Sequence, residues 1–114
     1  MRWIYLVLAV LEMALIFLLS SRPGSEVGLA PPWDKLAHGL AYLVMGWLWF
    51  RATSRMGLAW AICVVYGLAD EWHQSMVPGR VTDLGDWIAD GLGAALGVAL
   101  ARFQTVQHQP DQGR

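Results

Sequence analysis

The sequence predicts an all-α fold: a polytopic membrane protein built as a four-helix transmembrane bundle. Three observations carry this. Hydrophobic residues make up 56% of the 114 positions and charged residues only 15%, against about 25% charged in a soluble protein. Mean hydropathy is +0.41. The apolar residues fall into four segments, 3–19, 36–50, 56–69 and 84–103, separated by short polar stretches.

A helix crossing the hydrocarbon core needs about 20 residues. Segments 3–19 and 84–103 come close to that length unaided. The second and third are shorter, so they span only by drawing in their polar ends, which carry His38, Asp70 and Glu71. The first segment has a basic start at Arg2 but contains Glu12, and no small-x-small cleavage site follows at "SSRPGSE". It is therefore expected to stay as a helix rather than be removed as a signal peptide. Pro23, Gly24, Pro31 and Pro32 break the chain before the second segment. Residues 1–103 form one membrane domain, and the tail 104–114, with no apolar period, is expected to be disordered.

Orientation follows from the basic residues. With four spans, Arg2, Arg51, Arg55, Arg102 and Arg114 fall on one side and Arg22, Lys35 and Arg80 on the other. The five-to-three bias places both termini in the cytoplasm and the loops 20–34 and 74–84 outside. The net charge of −1 excludes a general nucleic-acid binder. The single cysteine, Cys63, lies in an apolar run and reads as a small buried hydrophobe.

Charge concentrates in "DEWHQSMVPGRVTDLGDWIAD", residues 70–90, and at the start of the second segment. Asp34, His38 and Tyr42 step by four along one helix face, with Lys35 beside them. Glu71 and Gln74 share a face, while His73 points about 200° away from Glu71. Asp70 and His73 read as surface or capping groups. Asp83, Asp86 and Asp90 step by three and four into the last helix. An acid two turns into an apolar helix is costly, and such groups face a cavity or a partner; Lys35 and Arg80 are the candidate partners. "VPGR" reads as a turn presenting Arg80. No spacing diagnostic of a metal site occurs, and no cofactor is expected. Glu12 lies apart, in mid-span. Ala89, Gly93, Gly97 and Ala101 recur every four residues, a spacing that lets two helix backbones approach closely within the bundle.

"DKLAHGLAYLVMGWLW" and "ADEWHQSMVPGRVTDLGDWIADGLGAALG" together resemble the VanZ-like family of small bacterial membrane proteins, over residues 33 to 101. The resemblance rests on an Asp-Lys-x-x-His, a Glu-x-x-Gln, a Pro-Gly-Arg and an Asp-x-x-Asp before a Gly-rich final helix. It implies family positions at Asp34, Lys35, His38, Tyr42, Glu71, Gln74, Pro78, Gly79, Arg80, Asp83, Asp86, Gly93 and Gly97. At Asp90 the family often has Asn, which puts in question whether a charge is needed there. The resemblance also implies residence in the bacterial cytoplasmic membrane and a role in envelope physiology. The founding member is associated with reduced susceptibility to teicoplanin.

Two functions from different classes remain open. In the first, an outward-facing charged pocket binds a membrane lipid or cell-wall-precursor headgroup, or docks a membrane partner protein, through Lys35, Tyr42, Gln74, Arg80, Asp83 and Asp90. In the second, the protein is a small hydrolase or transferase acting on a lipid-linked headgroup. There His38 is the acid or base, Asp34 orients it, and Glu71 or Asp86 is a second carboxylate. No hydroxyl sits in a recognisable nucleophile frame. Glu12 suggests a transporter, which at this length would need a homo-oligomer.

Overall fold

The computed structural model describes residues 2–21, 33–78 and 84–107, apart from the side chains of Asp34 and Gln107. Among these residues the fold is all-α. Four helices follow one another: α1 Trp3–Ser20, α2 Trp33–Thr53, α3 Met56–Gln74 and α4 Leu84–Gln107. Arg80 and Asp83 lie outside the described residues.

The ends of the helices follow from local chemistry. α1 closes where the Ser21 hydroxyl donates to the Phe17 carbonyl at 2.9 Å, satisfying one of the last orphan acceptors. α2 ends in the same way, with Thr53 Oγ1 donating to the Trp49 carbonyl at 2.8 Å. Ser54 then takes a left-handed conformation, φ 59°, the usual way to stop a helix and reverse the chain. A connection of two residues, Ser54 and Arg55, leads into α3.

α2 and α3 are 21 and 19 residues long, longer than their apolar cores, because their polar ends are helical too. α1 and residues Leu84–Val106 of α4 are long and apolar enough to cross a membrane. α2 and α3 have the length, but their hydropathy is diluted by Asp34, Lys35 and His38 in one and by Asp70, Glu71, His73 and Gln74 in the other. α4 continues to Gln107, past the expected start of a disordered tail at 104. The reason is a contact with α2: Trp47 Nε1 donates to Gln104 Oε1 at 2.7 Å. Residues 108–114 lie outside the described part.

The tightest pair is α2 with α4, which run parallel. A Cβ built on Gly93 would lie 2.9 Å from the Gly39 Cα, and one on Gly97 would lie 2.8 Å from the Leu43 carbonyl carbon and 2.9 Å from the Trp47 nitrogen. From the other side, a Cβ on Gly46 would reach the Ala94 Cα at 3.0 Å. The two backbones therefore touch, and only glycine fits at these points. α3 packs on α4 through Trp87 Nε1 to the Val64 carbonyl, 3.2 Å, and Trp60 Nε1 to the Gly91 carbonyl, 3.1 Å. α1 is held by side chains: Tyr66 Oη donates to the Met13 carbonyl at 2.6 Å, and the Trp49 indole N–H points at Met13 Sδ, 3.4 Å away.

The core is small: Tyr42, Met45, Cys63 and Ala94 in one cluster, Phe50, Ala59, Val98 and Ala101 in another. Most large apolar side chains point outward instead. On α1, Ile4, Leu11, Leu15 and Leu18 are all more than half exposed, and only Ala9 and Ser20 are buried. A soluble monomer rarely exposes a contiguous apolar surface of this kind. In a bilayer it is the surface that lipid tails cover. With two helices fit to cross, this is a membrane protein.

Candidate functional site

The polar residues gather at one end of the helices, between the start of α2, the end of α3 and the start of α4. Their placement follows from the packing faces. On α4 the buried positions are Asp86, Asp90, Gly93, Ala94, Gly97, Val98 and Ala101. The acidic stripe thus continues the glycine stripe, and the acids look into the bundle, not at lipid. On α3 the buried stripe is Ala59, Cys63, Gly67, Asp70 and Gln74. Small residues again lead up to the polar groups.

Two pairs cross from α2 to α4. Lys35 Nζ donates to Asp86 Oδ1 at 3.2 Å, and His38 Nδ1 bonds to Asp90 Oδ1 at 2.7 Å. The pairs sit about one turn apart along the parallel helices. The acids are behind and the bases in front: Asp86 and Asp90 side chains are 8% and 1% exposed, Lys35 and His38 40% and 19%. Asp70 is buried, and it and Asp86 act electrostatically on His38. Tyr42, one turn beyond His38, is buried and feels both Asp70 and Asp90. Its hydroxyl and Asp90 Oδ2 have no hydrogen-bond partner among the described residues. Gly67 makes room for this side of Asp90: a Cβ there would lie 3.3 Å from Asp90 Oδ2.

Helical spacing points to Asp34 as the acid that orients His38. The structure brings Asp90 to His38 Nδ1, because residues 38 and 90 face each other across the glycine seam; the side chain of Asp34 lies outside the described part. Asp90 thus has more to do than the frequent Asn of the resemblance suggests. Asp70, expected as a capping or surface group, is instead buried. The signal for its burial is the run of small residues Ala59, Cys63 and Gly67 at helical spacing on the same face. Gln74 is buried and donates from Nε2 to Ser20 Oγ of α1 at 3.2 Å. Glu71 is half-buried beside it.

His73 does turn away from the site. Its Nε2 is 2.9 Å from Ser21 Oγ, and its ring stacks on Phe17 at 4.6 Å, so it ties α3 to α1. The hydroxyl of Ser75 donates to the Trp72 carbonyl at 2.5 Å. Glu12 lies eight residues before Ser20, roughly 12 Å down α1, and Glu12 Oε1 is buried with no hydrogen-bond partner among the described residues. No group of three or more His, Cys, Asp or Glu side chains is arranged to hold a metal ion among the described residues.

The polar groups at the mouth of this seam are Lys35 and His38 of the Asp-Lys-x-x-His motif and Asp86 and Asp90 of the acidic stripe. No curated protein and no solved structure matches the chain. A family model described as VanZ/LLP1 matches residues 3–105, from the start of α1 to the last turn of α4. The motifs the fold brings together and the extent of that match lead to one assignment: the chain belongs to the VanZ family.

Proposed function

We propose that all four helices span the membrane with both termini in the cytoplasm. The mouth of the α2–α4 seam then binds the polar head of a membrane lipid or of a lipid-linked cell-wall precursor on the outer side. The observation that carries this reading is the layering of the two pairs. Asp86 and Asp90 are buried behind Lys35 and His38, so an approaching phosphate meets the two bases first. The acids hold those bases in place and balance their charge, as a low-dielectric setting requires. By sequence position Arg80, between α3 and α4, is assigned to the same outer side as a third cation, with Asp34, Glu71 and Asp83 as further candidates.

A panel of anionic lipids and lipid-linked cell-wall precursors tests the reading. Lys35→Gln and His38→Gln, whose amide can still donate to Asp90, should leave the protein folded and cut retention of such lipids by about tenfold or more, the loss of one charge-assisted contact. Equal retention by the wild type and both folded variants would end the proposal. The topology has its own test. Cys63 is fully buried, so the native chain gives little background labelling. Cysteines at Gly28 and Val77 should react with an impermeant thiol reagent added outside, and those at Ser54 and Gln109 should not. The reverse pattern would move the site to the cytoplasmic face.

The His38–Asp90 bond favours a second reading, an enzyme acting on the same headgroup. A histidine whose Nδ1 is fixed by a buried carboxylate has its Nε2 presented for proton transfer. His38 would take or give a proton on a phosphate ester or on an attacking water. Turnover of a labelled headgroup by the wild type, lost in His38→Ala, separates this from binding alone.

A further inference from the structure

At the opposite end of the bundle two guanidinium groups share one aromatic ring. The Arg2 Cζ lies 5.0 Å from the Tyr5 centroid, and the Arg51 Cζ 5.1 Å from the same centroid. Arg51 is also 5.1 Å from the Trp47 ring, and its Nη2 donates to Tyr5 Oη at 3.2 Å. The Arg2 backbone is fixed as well, its N–H donating to the Ala52 carbonyl at 3.1 Å. Tyr5 and Trp47 meet edge to face at 5.6 Å, so the platform under both arginines is rigid.

This end carries no acidic side chain among the described residues. Among the described residues no Asp or Glu lies between residues 2 and 11, 35 and 69, or 91 and 107. Glu12 is the nearest acid along α1, about 10 Å from Tyr5 by helical rise. Arg55 and Arg102 add positive charge at the same end. Two guanidiniums each about 5 Å from one centroid are at most about 10 Å apart, within the screening length at 0.1 M salt, so they repel. Aromatic faces attract cations but do not cancel their charge. An anion between them would offset that repulsion. Planar guanidinium forks fit phosphate oxygens in bidentate fashion. Tyr and Trp sit at the headgroup level of membranes, so the phosphate at hand is that of a lipid.

We infer that Arg2 and Arg51, braced on Tyr5 and Trp47, clamp the phosphate of an anionic phospholipid in the leaflet at the N-terminal end of the bundle. This site is separate from the one around Lys35 and His38 and does not rest on it. Its role is to anchor α1, which is otherwise held mainly by side chains.

The full-length protein in zwitterionic detergent tests the clamp, with dioleoylphosphatidylglycerol, dioleoylphosphatidylcholine and inorganic phosphate as probes and bound lipid counted by native mass spectrometry. The wild type should prefer the glycerol lipid. Arg2→Gln with Arg51→Gln should lower that preference by about 25-fold, two charges at about fivefold each, whether introduced into the wild type or into a Lys35→Gln background. The preference should also collapse between about 0.1 M and about 1 M salt, where the screening length falls to about 3 Å. Should the double variant fail to fold, two measurements still decide the question: the salt series on the wild type, and the single change Arg2→Gln at an exposed residue. An unchanged preference in the folded variants, or a salt-independent one in the wild type, overturns the clamp. Occupancy by inorganic phosphate that excludes the lipid overturns the lipid assignment.

Discussion

Gly97→Leu is expected to abolish recovery of folded protein from mild detergent, and Gly93→Leu to do nearly the same. At both positions the atoms that meet a new side chain are backbone atoms of α2, the Leu43 carbonyl and Trp47 nitrogen in one case and Gly39 in the other. Backbone cannot rotate away as a side chain does. The cost therefore lies at or beyond the upper end of the roughly 1–3 kcal/mol typical of overpacking. Gly91→Leu supplies the control. It lies on the same helix with nothing within 4 Å of a new Cβ, and leucine is the better helix former by roughly 1 kcal/mol. Its yield and thermal stability should match or exceed those of the wild type. Normal behaviour of both Gly93→Leu and Gly97→Leu would show that α2 and α4 do not meet along this seam.

Asp90→Ala should be the most damaging polar substitution. It removes the acceptor from His38 in a place with no exposure, and a hydrogen bond of this charged type contributes about 1.5–3 kcal/mol. Asp90→Asn should behave differently. An amide oxygen can still accept from the His38 Nδ1–H, so stability should fall by less than about 1 kcal/mol. The charge behind His38 is lost, however, and binding or turnover at the outer site should weaken with it. Measured by thermal unfolding in detergent beside lipid retention, the two variants separate the structural from the electrostatic contribution. Equal destabilisation by Ala and Asn would mean that the carboxylate's charge, not its hydrogen bond, holds the seam.

Much of this fold can be read from the chain because lipid enforces a simple rule: long apolar runs become helices with every backbone group paired internally. Four segments and the Ser54–Arg55 turn follow from that rule. The small-residue spacing on α4 announces a close contact. What the spacing does not supply is the partner, since α1, α2 and α3 all offer small residues. The orienting acid of His38 is hidden for the same reason. Helical spacing links residues on one helix, such as Asp34 and His38, whereas the pair that forms joins positions 52 apart. Asp70 misleads because a charged residue near a helix end reads as exposed. The stripe of Ala59, Cys63 and Gly67 beneath it is the better guide. The helical stretch 104–107 is not legible because Gln104 is polar, and its place depends on an indole N–H from another helix.

The glycine seam also constrains how the protein is made. In the proposed four-span arrangement Lys35 and His38 would enter the bilayer before their partners, since Asp86 and Asp90 follow 51 and 52 residues later. Placing an aspartate at the centre of an isolated spanning helix costs about 2.5–3.5 kcal/mol, less toward its ends. α4 brings in two and has no basic residue of its own until Arg102. In the proposed four-span arrangement, an α2 already in place with its glycine face open would lower the cost of inserting α4. The last helix completes both the bundle and the site in one event. A chain stalled before residue 84 would hold Lys35 and His38 without the Asp86 and Asp90 carboxylates that pair with them.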